Sequence, residues 1–172
     1  YQSIVVEFKM KNKSDPRTIL SISMGAVGGV QIKQQHRICI DDIILEKIDA
    51  PKVDETESDV NLIKNADFSE GDNGLSNWEG GIMGDAVGTQ TVDKGVITYE
   101  LSDVGTADWN VQLKQTGLAL ENGKTYEASI TLKSTEARTV LLNFMSNTYK
   151  WYGGETIVLP KNEEVVKTIT FT

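Results

Sequence analysis

The stretch HRICIDDIILEKI, residues 36–48, has the pattern of a strand that closes a β-domain. Apolar residues dominate it, one pair of acids interrupts them, and a charged exit follows without any glycine in between. Yet residues 49–172 come after it, and they contain most of the other strand patterns of the chain. This order predicts that an early segment completes a fold built mainly by later residues.

The rest of the chain shows the same strand-like alternation of apolar and polar residues. No segment has a 3.6-residue period over a helical length, and clusters of Gly, Asn, Asp and Ser separate the alternating segments. We therefore predict an all-β chain, folded as a sandwich or jelly roll. The alternating segments are 3–10, 18–24, 96–101, 109–115, 126–133, 139–145 and 167–171.

Composition excludes several classes of function. A net charge of −8 argues against a nucleic-acid surface, which needs clustered Lys and Arg. The single cysteine, Cys39, rules out a disulfide framework, and the single histidine, His36, rules out a multi-histidine metal centre. No apolar run is long enough to cross a bilayer, so we expect no membrane contact.

Charge and proline divide the chain into two pieces. The segment DAPKVDETESDV, residues 49–60, has five acids against one lysine and almost no apolar residues, a composition typical of linkers. We place an acidic linker at 51–60, between a front piece of 1–50 and a back piece of 61–172. The front piece has too few strands to bury a core alone, so it needs a partner.

Four sequence motifs resemble family 4 and 9 carbohydrate-binding modules. They are the opening NLIKNADFSEGDNGLSNWEGG (61–81), the WNVQL strand (109–113), the GKTY turn (123–126) and HRICIDDIIL (36–45). The last one is similar to the final strand of such modules. The resemblance covers nearly the whole chain and implies a galactose-binding-domain-like β-sandwich jelly roll, with its segments in permuted order.

Under this interpretation, 1–50 supplies the C-terminal strands of a module and 61–172 its N-terminal part. The two pieces can complete one sandwich within the chain, and we expect this closure because the termini of a domain often lie close together. The alternative is strand exchange with a neighbouring copy, which would give a strand-swapped homo-oligomer.

Aromatic residues are the first candidates for a carbohydrate site, because pyranose rings stack their C–H faces on flat side chains. Trp109 follows a Gly- and Asp-containing loop, and Trp151 lies between Tyr149 and Tyr152 in a polar stretch. The resemblance implies that aromatic residues in both regions line a groove; the alternative is packing under a loop. For Trp78, which follows the opening motif, we predict packing in the core.

Amides are the second group of candidates, because they can hydrogen-bond sugar hydroxyls. Gln112 recurs in the family pattern, and Asn143 interrupts an apolar strand, where an unpaired amide would be costly. Both could equally be satisfied structural amides. Gln34, with its neighbours Gln31 and Gln35, could form the rim of the groove or simply be exposed to solvent.

The resemblance also implies a structural calcium ion between the opening stretch and the final strand. By analogy its ligands would be Asp41, Asp67, Ser69 and Asp93, since calcium prefers carboxylate and main-chain oxygens. The alternative is a solvated turn with several acids. Asp41 and Asp42 should face opposite sides of a strand, so they are not expected to form a catalytic pair.

These inferences predict a non-catalytic carbohydrate-binding module. It would bind soluble β-glucan or xylan chains in an aromatic-lined groove and direct an attached glycoside hydrolase to polysaccharide. We expect the parent protein to be bacterial and secreted, extracellular or bound to the cell surface. The alternatives are a structural spacer or adhesion domain, in which Trp109 and Trp151 would be buried, and a glycosidase domain.

Overall fold

A computed structural model describes residues 7–8, 14–48 and 61–171 of the chain. Within these residues, eleven strands form two packed sheets, and short 3-10 turns lie at Val27–Gly29 and Asp108–Asn110. No helix in the described part of the chain is long and apolar enough to span a membrane. The strands are β1 Glu7–Phe8, β2 Asp15–Ser23, β3 His36–Lys47, β4 Glu79–Ile82, β5 Val87–Asp93, β6 Val96–Asp103, β7 Val111–Leu120, β8 Tyr126–Ser134, β9 Arg138–Met145, β10 Trp151–Leu159 and β11 Glu164–Phe171.

The two sheets confirm the predicted all-β sandwich. One sheet has the strand order β1-β11-β8-β3-β6-β5 and the other has the order β10-β9-β2-β7-β4. Of the three strands from the first 48 residues, β1 lies at the edge of the six-stranded sheet, whereas β2 and β3 lie inside the two sheets. Each sheet is therefore continuous only when the front and back pieces come together.

The early closing strand pairs with the back piece on both sides. In β3, Ile38 lies opposite Tyr99 of β6 and Ser134 of β8, and both ladders are antiparallel. In the other sheet, β2 pairs with β7 and β9. The front piece therefore pairs with the back piece in both sheets within a single chain.

A bulge in β3 explains why two acids can interrupt a core strand. The register with β8 shifts between Asp41 and Ile44, and Asp42 has a positive φ of 49°. Ile40 before the bulge and Ile43 after it are both buried, although strict alternation would have buried Asp42 instead. The bulge also interrupts the alternation from which we placed Asp41 and Asp42 on opposite faces, so that argument does not hold here.

The core lies between the inner faces of the two sheets. Its largest buried members include Tyr99 and Tyr126 from one sheet and Phe144 from the other. A fully buried side chain of this size contributes about 1.5–3 kcal/mol through the hydrophobic effect. Aliphatic partners from β2, β3, β6 and β9 are Leu20, Ile22, Ile38, Ile40, Leu45, Ile97 and Leu142.

The segment 61–78 closes one end of the sandwich. The side chain of Asn61 accepts a bond from Leu45 N (2.9 Å) and donates to Ile43 O (3.0 Å), which fastens the segment to β3. Further along, the ring of Phe68 packs against Trp78 with a centroid distance of 5.4 Å. Trp78 is buried and donates through Nε1 to a main-chain oxygen, so the predicted packing role for Trp78 is observed.

Three differences separate the sequence prediction from the structure. Trp109 does not open a strand: it lies in a 3-10 turn, and β7 begins at Val111. Strands β4, β5 and β10 were not predicted, because glycine pairs and polar residues mask their alternation. The acidic segment 51–60 and most of the predicted strand 3–10 lie outside the described residues.

Candidate functional site: a groove on the five-stranded sheet

A groove of about 410 Å³ runs across the outer face of the five-stranded sheet. Its floor is the outer side of β2, where Ser21 and Ser23 alternate with core residues of the same strand. Ser21 lies opposite Lys114 of β7 on one side and Asn143 of β9 on the other. Short side chains on the central strand, between longer ones on its neighbours, create the depression.

Gln112 lies over this floor. Its Nε2 is 3.0 Å from the Oγ of Ser21 and 3.3 Å from the Oγ of Ser23, so the amide donates to the hydroxyls beneath it. These bonds orient the Gln112 side chain across the groove. The predicted alternatives for Gln112 therefore overlap, since it is a satisfied amide that also lines the groove.

Trp109 forms one wall of the groove. Its side chain is 51% exposed and lines the groove beside Met83 and Asp108. The carboxylate of Asp108 accepts a hydrogen bond from the main-chain N of Trp109 at 2.8 Å. The indole is therefore presented to solvent from a hydrogen-bonded turn.

The turn between β9 and β10 forms the opposite wall. Tyr149, with a φ of 62° and 71% exposure, lines the groove from the tip of this turn. Trp151 is 58% exposed, and its Nε1 donates to Asn143 Oδ1 at 3.2 Å. Asn143, like Gln112, is thus both bonded to a neighbour and part of the groove lining.

A glycine in β10 makes room for this contact. Gly154 lies opposite Asn143, and a Cβ added to Gly154 would be 2.1 Å from Leu142 O and 2.8 Å from Asn143 Oδ1. The β9–β10 ladder also shifts register between Trp151 and Gly153. A side chain at residue 154 would push Asn143 away from the indole.

Two charged residues line the groove, Asp108 and Lys114. The ammonium of Lys114 is 3.3 Å from Glu79 Oε2, which partly neutralises it from the outer strand β4. The remaining polar lining consists of amides, hydroxyls and a phenol. This surface combines flat apolar walls with short hydrogen-bonding groups between them.

The structure brings four of the seven predicted carbohydrate-binding residues into one groove and Trp151 beside it. Tyr152 lies elsewhere: it donates to Asp15 Oδ2 (2.7 Å) and lines a separate depression. It lies at the register shift between Trp151 and Gly153, where the β9–β10 ladder has an extra residue. Gln34 is exposed in the loop before β3 and does not line the groove. The four in the groove are Trp109, Gln112, Asn143 and Tyr149.

Sequence reasoning missed the floor and part of the walls. The alternation Ser21, Ile22, Ser23 in a strand between two others was the available signal, because small polar residues facing outward leave a depression. Nothing in the sequence indicated that the turn residue Met83 would lie beside Trp109. The lining residues not predicted are Ile19, Ser21, Ser23, Met83, Asp108, Lys114 and Met145.

His36, the chain's single histidine, has structural partners. Arg138 donates through Nη1 to His36 Nε2 (2.9 Å), so Nδ1 carries the proton and donates to Gln34 O (2.8 Å). Burial lowers the pKa of His36, and burial also lowers the pKa of Arg138 to about 10. The imidazole is therefore held neutral, with both ring nitrogens used.

Three of the four predicted calcium ligands, Asp67, Ser69 and Asp93, lie near the turn between β5 and β6. Ser69 and Asp93 line the same depression, and a Cβ at Gly95 would be 3.1 Å from Asp67 O. Hydrogen bonds from Ser69 lower the pKa of Asp67, whereas burial raises that of Asp41. Nowhere in the described residues do three or more His, Cys, Asp or Glu side chains come close enough together to hold a metal ion.

Comparison with known families gave one match. The model of a family described as carbohydrate binding domain, which covers module families 4 and 9, matches residues 60–172. The matched segment includes all strands from β4 to β11 and excludes β1, β2 and β3. Comparisons with curated proteins and with solved structures gave no match.

Proposed function

Because the chain belongs to the carbohydrate binding domain family of modules 4 and 9, we propose that its groove holds a single soluble chain of β-glucan or xylan. The observation that supports this proposal most is the exposure of Trp109 and Tyr149 on opposite walls of one groove. Modules of this family bind carbohydrate and are typically non-catalytic. A purely structural spacer would have buried Trp109 and Trp151, and both are more than half exposed.

The chemistry of the groove suits a sugar chain. Indole and phenol rings offer apolar faces for the C–H groups of pyranoses, while Gln112 and Asn143 offer amides to the hydroxyls between the walls. A groove with walls encloses one chain, whereas a crystalline surface requires a flat row of aromatic rings. The ligand is therefore a soluble chain.

Affinity electrophoresis in gels containing laminarin, barley glucan, hydroxyethylcellulose or xylan tests the proposal. We expect retardation in at least one gel, and at least a tenfold loss of affinity in Trp109→Ala and in Trp151→Ala, because each loses a stacking surface worth about 1.4 kcal/mol or more. Tyr152→Phe is the matched control and should bind like the parent. Migration unaffected by every polysaccharide would refute the carbohydrate site.

The same proposal includes the role of the module in a larger protein. A binding module keeps an attached glycoside hydrolase close to its substrate and so raises the effective concentration without new chemistry. We propose a secreted bacterial parent enzyme of this kind. Adding the module to a hydrolase should raise activity on the bound polysaccharide but not on short soluble oligosaccharides, and equal gains on both would contradict the targeting role.

We also propose a structural calcium ion near Asp41, Asp67, Ser69 and Asp93. Since no three acids gather there, at most two of the three predicted carboxylates would bind it, with hydroxyl and main-chain oxygens supplying the other ligands. The melting temperature should rise in calcium relative to EGTA in the parent and not in Asp67→Ala. Equal melting temperatures of the parent in calcium and EGTA would refute the site.

A further inference from the structure

The wall that carries Trp109 is assembled from three separate segments. The first segment follows β2, and the second is the turn that contains Trp109. Two main-chain hydrogen bonds join them: Gly25 N donates to Asp108 O (2.8 Å), and Ala26 N donates to Ala107 O (3.0 Å). The third segment, the turn after β4, joins through Met83 N, which donates to Asn110 O at 2.7 Å. The orientation of the indole therefore depends on how these segments are held together.

Asn110 lies at the junction of two of these segments. Its side chain is only 2% exposed, and its Oδ1 accepts from Thr106 N (3.0 Å) and Ala107 N (2.7 Å). The main-chain N of Asn110 donates back to Ala107 O (3.2 Å). The side chain of Asn110 thus holds the main chain that precedes Trp109, while the main chain of Asn110 directly follows Trp109.

Two glycines leave space for this amide and for nothing larger. A Cβ at Gly84 would be 2.2 Å from Asn110 Nδ2, and one at Gly105 would be 2.6 Å from Asn110 Oδ1. Both glycines have positive φ, 61° and 77°. The loops on either side therefore close tightly around a single buried side chain.

We propose that Asn110 is a positioning residue of the carbohydrate site: without touching the sugar, it sets the Trp109 and Met83 wall of the groove. The inference rests on the proposed function, because the wall matters for binding only if the groove takes a sugar chain. The neutral amide suits the place, because Asp85 Oδ1 accepts from the same Thr106 N at 3.1 Å. A carboxylate at residue 110 would face that of Asp85.

The test compares affinity with stability in matched variants. Asn110→Ala should weaken polysaccharide binding at least tenfold at temperatures far below its melting transition. Asn110→Asp in an Asp85→Asn background retains the acceptor without two facing carboxylates, and its affinity should return to within about threefold of Asp85→Asn alone. Unchanged affinity in Asn110→Ala, or no recovery in the double variant, would overturn the proposal.

Asn65 provides the matched control. It is also a buried asparagine whose side chain hydrogen-bonds the main chain of a loop. It accepts from Glu70 N (2.9 Å) and donates to Gly74 O and Ser76 O (both 2.9 Å). None of these residues lines the groove. Asn65→Ala should lower the melting temperature and leave affinity within about twofold of the parent. An equal loss of affinity in Asn65→Ala would mean that general destabilisation explains both variants.

A readout without ligand separates this inference from the proposed function. In a Trp151→Phe background, Trp109 is the exposed tryptophan and Trp78 the buried one. Adding Asn110→Ala should change acrylamide quenching of Trp109 by at least about 1.5-fold, and unchanged quenching would overturn the positioning role. Absence of any polysaccharide binding by the parent would refute only the proposed function. If Asn110→Ala does not fold, Gly84→Ala, which crowds the same amide, replaces it in each measurement.

Discussion

At the scale of single residues, His36 links stability to pH. Its imidazole accepts a hydrogen bond from the Arg138 guanidinium. A proton on Nε2 would remove this acceptor and place two positively charged donors in contact, where they repel each other. Burial is the largest cause of the lowered pKa, Arg138 lowers it further, and Glu136 and the bond to Gln34 O act in the opposite direction. Protonation therefore favours the unfolded state.

The pH dependence follows from that direction. The contribution of His36 to stability is complete above its unfolded pKa of about 6.5 and is lost as the pH falls from there toward the lowered folded pKa. As the pH decreases through this window, we expect the melting temperature of the parent to fall relative to that of His36→Gln. The variant is the control for titrating carboxylates, and a constant difference between the two proteins would contradict the prediction.

Lys167 and Glu155 form an ion pair that joins the two sheets. Lys167 of β11 is almost fully buried, and its Nζ is 3.5 Å from Glu155 Oε1 of β10. Removing only the acid leaves a buried cation without its partner, which costs more than removing both charges.

This pair predicts an asymmetry between two variants. Glu155→Gln should lower the free energy of unfolding by about 1–3 kcal/mol, whereas Glu155→Gln combined with Lys167→Met should restore most of it. Chemical denaturation of both proteins measures the difference. Equal losses in the single and double variants would contradict the argument.

At the scale of elements, the shape of β10 determines how the groove wall is built. Gly154→Ala should destabilise the protein by about 1–3 kcal/mol, because the new Cβ meets main-chain oxygen of β9. It should also weaken polysaccharide binding by displacing Asn143 from Trp151. Thr156→Ala, an exposed position of the same strand, is the control for both measurements, and normal binding by Gly154→Ala would contradict the second effect.

Alternation predicted those strands that bury one face and expose the other. This is why β2, β6, β8, β9 and β11 were found from the sequence, since apolar residues recur at alternate positions over most of each strand, although Lys167 occupies one inward position of β11. Strand β4 contains a glycine pair with φ values of 105° and 131°, and β5 is an edge strand with a polar sequence. Their existence depends on the partner strand rather than on their own side chains.

At the scale of the whole molecule, β2 and β3 join the front and back pieces. The family match begins at residue 60. The matched segment alone therefore lacks β2, which lies between β7 and β9, and β3, which lies between β6 and β8. We propose that 1–50 and 61–172 correspond to the late and early parts of a module in permuted order.

Closure within the chain predicts a monomer. Light scattering after gel filtration should give a mass near 18.9 kDa over a wide range of concentration. As a control, refolding at high concentration favours exchange of the front piece between copies, and any dimer formed should be trapped until it is unfolded again. A dimer from the outset, without refolding, would instead support the strand-swapped homo-oligomer.

The sequence by itself determined the all-β class, the family, and the expectation that the front piece pairs with the back piece, and it singled out Trp109 and Tyr149 among its aromatic candidates. These follow from local periodicity and from motifs that neighbouring residues carry. Only the tertiary structure decided that Ser21 and Ser23 form a floor, that Tyr152 lies outside the groove, and that HRICIDDIILEKI changes phase at a bulge. The reason is that faces, depressions and registers depend on which strands become neighbours, and residues far apart in the chain supply those neighbours.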